Sequence, residues 1–194
     1  MTMRSMITVL AKAMLGQEKP EDKPTPAELA AIAKLKEYGG LVLEIAQNDK
    51  RLDIGLHLAN IKIKDEHLPP LKELKKTALL NLRGTEITDA GLVNIAELKG
   101  LVKLGLEKTK ITDKGLESLK GLENLESLNL YGTAVTDAGL VHLEGLKKLK
   151  KLYVWQTMVT DAGVAKLKGA VPTLDIVRGV DPPAPPAKVE EKKP

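Results

Sequence analysis

The chain has 194 residues, a length that suits one domain, and 43% of them are hydrophobic while only 2% are aromatic and none is phenylalanine. Its core must therefore be aliphatic. The net charge of +4 and the pI near 9.1 come without a block of lysines and arginines, which argues against a nucleic-acid surface. The absence of cysteine excludes disulfides, thiolate metal sites and a cysteine nucleophile, and no apolar run approaches the ~18 residues a membrane-spanning helix needs.

Residues 1–24 read as a leader and linker. The apolar run Met6-Ile7-Thr8-Val9-Leu10 is short for a secretion signal and Lys12 follows closely, so a degenerate export signal and a plain amphipathic or disordered leader both remain open. A helix is expected from Thr25, because Thr25, Pro26 and Glu28 supply an N-cap, a first-turn proline and a capping box. Leu29, Ile32 and Leu35 give it an apolar stripe, and Gly39-Gly40 ends it. Leu41 to Ile45 alternates as a strand, Asn48-Asp49 marks a turn, and Leu52, Ile54, Leu56 and Leu58 alternate again. Residues 25–52 are thus expected to be an N-terminal cap of helix plus hairpin strand.

From there one unit repeats at a constant step without insertion: Thr85-Glu86-Ile87-Thr88-Asp89-Ala90-Gly91-Leu92 returns from Thr109, from Thr133 and from Thr157. A fixed period of this size means stacked coils. Each block follows an apolar ladder such as Leu125-x-x-Leu128-x-Leu130-x-x-Thr133-x-Val135. Alternation at Leu128-Asn129-Leu130 predicts a short strand with leucine inward. Thr85, Thr109, Thr133 and Thr157 are expected to form a buried ladder, each hydroxyl accepting from an amide and donating to a carbonyl. Thr88, Thr112, Thr136 and Thr160 read as helix N-caps, and the aspartate after each as a partner for the helix dipole. The glycines at 91, 115, 139 and 163 cost about 1 kcal/mol each in a helix, so their recurrence predicts close packing on the neighbouring coil.

These blocks resemble the TDAGL-type leucine-rich repeats of planctomycete-like bacteria, related to the cysteine-containing repeats of F-box proteins, over roughly residues 40–178. The resemblance implies an α/β, right-handed leucine-rich repeat solenoid, with parallel strands on the concave face and short helices on the convex face. Five units of equal length are expected over residues 53–170, behind the helix and β-hairpin cap. The first is degenerate: Leu56, Leu58, Ile61 and Ile63 lie one full period before their counterparts, Ile61 takes the threonine position, and Pro69-Pro70 allows only a short or 3₁₀ segment. Residues 171–180 read as a closing strand, with Val171, Leu174 and Ile176 following Leu149, Leu152 and Val154 at a step two short of the full period. Residues 181–194, rich in proline, lysine and glutamate, read as a disordered or polyproline-like tail.

Strand positions between the inward leucines face outward and line up by repeat. One column holds Arg83, Glu107, Tyr131 and Trp155. The next holds His57, Asn81, Gly105, Asn129 and Tyr153. A third holds Leu79, Lys103, Ser127 and Lys151. Of the four aromatic residues in the chain, Tyr131, Tyr153 and Trp155 fall in the first two columns, and strands about 4.8 Å apart bring Tyr131 onto Trp155. Such a surface suits recognition, with Arg83, Glu107, Asn129, Tyr131, Tyr153, Trp155 and Lys151 as contact residues; the aromatics also suit a cover for the closing strand, and both readings stand. His57, His67 and His142 lack metal-site spacing, and the repeated aspartates cap helices rather than bind calcium. No nucleophile elbow, P-loop or dinucleotide fingerprint occurs. The expected function is a non-catalytic, monomeric protein-interaction module without cofactor or metal. The alternatives are an envelope or extracellular binder of glycan or peptide, and a ubiquitin-ligase-type substrate-recognition subunit suggested by the F-box relatives.

Overall fold

The computed structural model describes residues 23–179. The expectations for the leader and for the tail at 181–194 lie outside the described residues. A helix, α1 (Pro26–Glu37), opens the fold. The Glu28 amide donates to Thr25 Oγ1 at 3.2 Å and the Thr25 amide donates to Glu28 Oε2 at 2.6 Å, completing the capping box. The helix ends at Gly39 with φ of 83°, where the amides of Gly39 and Gly40 reach back to the carbonyls of Lys36 and Leu35. The buried line on α1 is Ala31 and Leu35, with Ile32 at its margin, whereas Leu29 is 53% exposed. A lone helix meets the sheet along one narrow i, i+4 line, so the expected stripe is rotated.

Seven strands follow in sequence order: β1 (Leu41–Ala46), β2 (Asp49–Gly55), β3 (Thr77–Asn81), β4 (Lys103–Gly105), β5 (Ser127–Asn129), β6 (Lys151–Tyr153) and β7 (Asp175–Val177). β1 and β2 are antiparallel across a turn at Gln47 and Asn48; every later pair is parallel. The sheet is open, and its architecture is that of a leucine-rich repeat solenoid. Between strands the chain turns through short helices: α2 (Asp89–Leu92), α3 (Asp113–Leu116), α4 (Asp137–Leu140) and the longer α5 (Asp161–Ala170). The proline-bearing first unit has only 3₁₀ segments, at Asp65–His67 and Pro69–Glu73.

Leu80, Leu104, Leu128 and Leu152 point inward from the strands, and Leu92, Leu116 and Leu140 meet them from the helices, all 2% exposed or less. Each fully buried leucine contributes roughly 1.5–3 kcal/mol, so an aliphatic core suffices without large aromatics. At the turn after each strand the threonines of the ladder are used as expected in one direction. The hydroxyls of Thr85, Thr109 and Thr133 each donate to the carbonyl three residues back at 2.7 Å. Thr157 alone also accepts, from the Val159 amide at 3.3 Å.

Two placements differ from expectation, and by the same amount. Ile54, not Leu56, pairs with Leu80, while Asp65 still stands in the place of Asp89 one unit later. The first unit therefore carries two extra residues between Leu56 and Ile63. Leu58 and Ile61 fall in this insertion and are 65% and 45% exposed, and half-buried Ala59 takes the threonine position, its amide donating to Leu56. At the other end Leu152 pairs with Ile176 and Tyr153 with Val177, so the closing strand keeps the full period of the repeat instead of falling short of it.

The recurring aspartates do more than cap helices. Asp65, Asp89, Asp113 and Asp137 each reach the next coil, accepting from the amide and hydroxyl of Thr88, Thr112, Thr136 and Thr160 at 2.6–2.8 Å. The glycines explain themselves by the same contact: a Cβ at Gly91, Gly115, Gly139 or Gly163 would collide with the carboxylate of the preceding coil's aspartate. The Asp137 carboxyl titrates below its ordinary range because the Thr160 hydroxyl and amide bind the ionised form. Asp161, last in the series, pairs with Arg178.

Candidate functional site

The strand register sets the outward columns. Leu79, Lys103, Ser127, Lys151 and Asp175 stand side by side, as do Gly55, Asn81, Gly105, Asn129, Tyr153 and Val177. Gly55 occupies the place expected of His57, which the two-residue insertion moves into the exposed loop after β2. His67 lies in the first 3₁₀ segment with its ring edge-on to Tyr38 at 4.8 Å. His142 lies on the helical side, in the 3₁₀ turn after α4. Among the described residues no group of three or more His, Asp or Glu side chains is placed to hold a metal ion.

The third outward position of each coil follows the strand at a tight turn. Here Tyr131 and Trp155 stack, ring centroids 5.1 Å apart and planes 24° apart. They line a shallow concavity of about 270 Å³ together with Arg83, Glu107, Asn129 and Tyr153, closed at its far edge by Val177 and Gly179. Six of the seven residues expected to make contact thus share one surface. Lys151 stands apart from that lining, exposed on β6 in the neighbouring column.

The aromatic floor is held by polar contacts within and between coils. Asn129 Oδ1 accepts from the Tyr131 amide at 3.1 Å, fixing the turn that presents the ring, and its Nδ2 donates to Glu107 Oε1 at 2.8 Å. Asn81 does the same for the Arg83 amide at 3.0 Å. Among the described residues Glu107 Oε2 has no hydrogen-bond partner; it is shielded from solvent, turned against Gly105. Its neighbour Lys108 carries its ammonium 5.5 Å from the Tyr131 ring centre, and was not anticipated as a site residue. Lys108 and Gln156 share a left-handed conformation, both with φ of 53°, with Gly84 and Gly132, the residues at the same place in alternate coils. The period alone would have placed Lys108 beside the column; nothing in it fixes the reach of the side chain.

Trp155 is 43% exposed and meets two neighbours. One face stacks on Tyr131, and its indole lies so close over Gly179 that a side chain there would collide with it. The ring that stacks in the concavity therefore also covers the chain as it leaves the last strand. Chemically it offers flat apolar rings, with the cations Arg83 and Lys108 on the same side of the sheet. Among the described residues no helix is long and apolar enough to cross a membrane.

A family model described as a leucine-rich repeat matches residues 79–96. No curated protein matches the chain. Among solved structures, an internalin (inlF) of Listeria monocytogenes is 23% identical, with a TM-score of 0.51, covering 59% of this chain and 32% of its own. Internalin C2 of the same organism is 27% identical, with a TM-score of 0.49, covering 62% of this chain and 51% of its own. The ectodomain of the receptor kinase SOBIR1 of Arabidopsis thaliana is 16% identical, with a TM-score of 0.48, covering 79% of this chain and 92% of its own. This chain spans about a third of the first internalin and about half of the second. The likeness to the first is one of fold, and it agrees with the coil-by-coil register above. The chain thus has the fold of a leucine-rich repeat solenoid, and one of its coils matches the leucine-rich repeat family model.

Proposed function

We propose that the chain is a non-catalytic, monomeric interaction module of the bacterial TDAGL type, which grips a protein partner on its concave face. Contact centres on Tyr131, Tyr153 and Trp155, with Arg83, Glu107, Asn129 and Lys151 extending it. The observation that carries this reading is the solvent-facing Tyr131–Trp155 stack on a sheet whose turns hold it in place. Rings already ordered lose little freedom on binding, and aromatic anchors beside arginine carry most of the energy at many interfaces. Replacing Tyr131, Tyr153 and Trp155 together by alanine tests it: the variant keeps its circular dichroism and melts as a folded domain, yet captures no partner in a pull-down beside the intact chain. Retained capture by the folded variant sinks this assignment.

A glycan or peptide ligand outside the cytoplasm is the second reading, favoured by the flat aromatic floor of the concavity, on which a sugar ring can stack. The ubiquitin-ligase reading gains no observation from the described residues. Saturable binding of soluble oligosaccharide that quenches Trp155 would decide for the glycan.

A further inference from the structure

We infer that the partner segment taken by the concave face is extended and acidic, lies across the strands, and presents carboxylates to cations that make no ion pair of their own while an apolar side chain meets the aromatic stack. This rests on the proposed function and names the chemistry of its partner. The first observation is the charge of the surface. Over β3 to β6 the outward positions carry Arg83, Lys103 and Lys151, and Lys108 stands beside them at the turn after β4. All four are exposed, and none takes part in an ion pair among the described residues. The carboxylate within the same stretch, Glu107, is turned onto Asn129 and Gly105, with Oε2 shielded from solvent. Glu126, just ahead of β5, is already held by Lys150 at 2.7 Å. Asp53 and Asp175 stand on β2 and β7, at the two ends of the lysine row. The middle of the face is thus positive, and a positive surface attracts and orients an acidic partner.

The second observation is the shape between those cations. The row Lys103, Ser127, Lys151 forms one bank, and Tyr131 with Trp155 forms the other. Between them Gly105 leaves the floor open where its neighbours Asn81 and Asn129 carry side chains. Here a second hollow of about 270 Å³, bordered by Leu79, Asn81 and Lys103, adjoins the aromatic one, and Glu107, Asn129 and Tyr153 line both. The trough runs from strand to strand, so its occupant lies along the solenoid axis. Two steps of the sheet, ~9.6 Å, separate Lys103 from Lys151. A chain extended with three residues per turn shows the same side again after ~9.3 Å. Acidic residues at that spacing therefore reach both lysines, and a residue between them turns to the opposite bank, where the stacked rings offer a flat apolar contact. Arg83 and Lys108 lie on this second bank and take further carboxylates.

The test pans a phage-displayed library of random peptides on the full chain. Selected sequences are expected to be rich in aspartate and glutamate about three residues apart, with an aromatic, proline or leucine residue between them. Made as synthetic peptides, they quench Trp155, the sole tryptophan, saturably, and bind less tightly as salt is raised. Arg83→Gln, Lys103→Gln, Lys108→Gln and Lys151→Gln each weaken binding about two- to fivefold, the range of exposed ion pairs, while circular dichroism and melting temperature stay those of the parent. Gln156 already holds the backbone conformation of Lys108, so the fold accepts glutamine there. Lys103→Glu together with Lys151→Glu moves the selected sequences toward lysine and arginine. No selected peptide at all, or an affinity indifferent to salt and to the four substitutions, overturns the inference. A single-stranded oligonucleotide that quenches Trp155 at lower concentration than any acidic peptide overturns it too, because the cations then serve a nucleic acid. Neutral peptides whose capture needs Tyr131 and Trp155 remove the acidic assignment and spare the proposed function. Acidic peptides captured equally well by the variant with Tyr131, Tyr153 and Trp155 replaced by alanine remove the aromatic centre of the proposed function and spare the cations.

Discussion

Two sets of positions recur once in every coil of this chain, and they behave in opposite ways. On the inside, leucine follows leucine at 80, 104, 128 and 152, threonine follows threonine at 85, 109, 133 and 157, and each Asp–Gly pair repeats the last. On the outward column the residue changes at every step: Arg83, Glu107, Tyr131, Trp155. Each inner row meets the same partner in every coil, leucine against leucine and aspartate against the threonine of the next, and a departure is felt by the adjoining coils. In the outer column the neighbours differ from step to step, Tyr131 stacking on Trp155 while Glu107 accepts from Asn129, so the stack imposes no single residue type there. The sharpest test of that contrast is whether inner substitutions cost stability while outer ones cost only binding.

The largest effect is expected at the glycines. A side chain at Gly115 must displace the Asp89 carboxylate, which breaks both of its bonds to Thr112, and it also presses on Ile111. Gly115→Leu is expected to cost about 3 kcal/mol or more, an overpacking and a lost charge-assisted pair together. Chemical denaturation measures it. The mechanism has its own check: Gly115→Ala costs clearly less in an Asp89→Ala background than in the intact chain, because the carboxylate is gone and only Ile111 still presses. Additive costs in that double-mutant cycle would show that the glycine is there for another reason.

The contrast also explains what could be read from the sequence. The constant period placed β3 to β6 in register and put Tyr131 on Trp155, because a strict period turns distance along the chain into rows in space. It failed at both ends, each time by two residues. Side chains on a strand alternate with a period of two, so a slip of two leaves every leucine still facing inward. Leu52, Ile54, Leu56 and Leu58 fit either offset, and only the pairing of Ile54 with Leu80 distinguishes them. Val171, Leu174 and Ile176 were misplaced for the same reason. The Asp–Thr contact escaped notice differently. It runs diagonally, from Asp89 of one coil to Thr112 of the next, and a periodic reading sees only rows of identical residues.

That diagonal predicts a smaller, pH-dependent effect. The Asp137 carboxyl has its folded pKa depressed by Thr160, so its contribution to stability is present above the unfolded value of about 3.9 and is lost as pH falls through the folded value. Asp137→Ala is expected to cost about 2 kcal/mol at neutral pH, as a carboxylate losing two hydrogen bonds. The gap between the variant and the parent should then close as pH drops below about 4. A cost that stays constant from pH 7 to pH 2 would assign the loss to packing rather than to the ionised carboxylate.

The smallest effect lies between the two sets, at the turn that presents the outward column. Gly84 and Gly132 hold a left-handed conformation there without strain, whereas Gln156 holds it with φ of 53°. An L side chain in that region costs roughly 1 kcal/mol, partly offset because glycine has more freedom to lose on folding. Gln156→Gly is therefore expected to stabilise by about 0.5 kcal/mol, raising the melting temperature by about 1–2 °C. A Cβ at Gly84 meets nothing within 4 Å, so Gly84→Ala isolates the backbone term and should lower it by a similar amount. Opposite signs at these two equivalent turns mean that the position tolerates glutamine at a cost, and that Gln156, beside Trp155, stands there for a reason other than the fold. Equal and negligible shifts would show that the left-handed backbone at this turn sets no preference between glycine and a side chain.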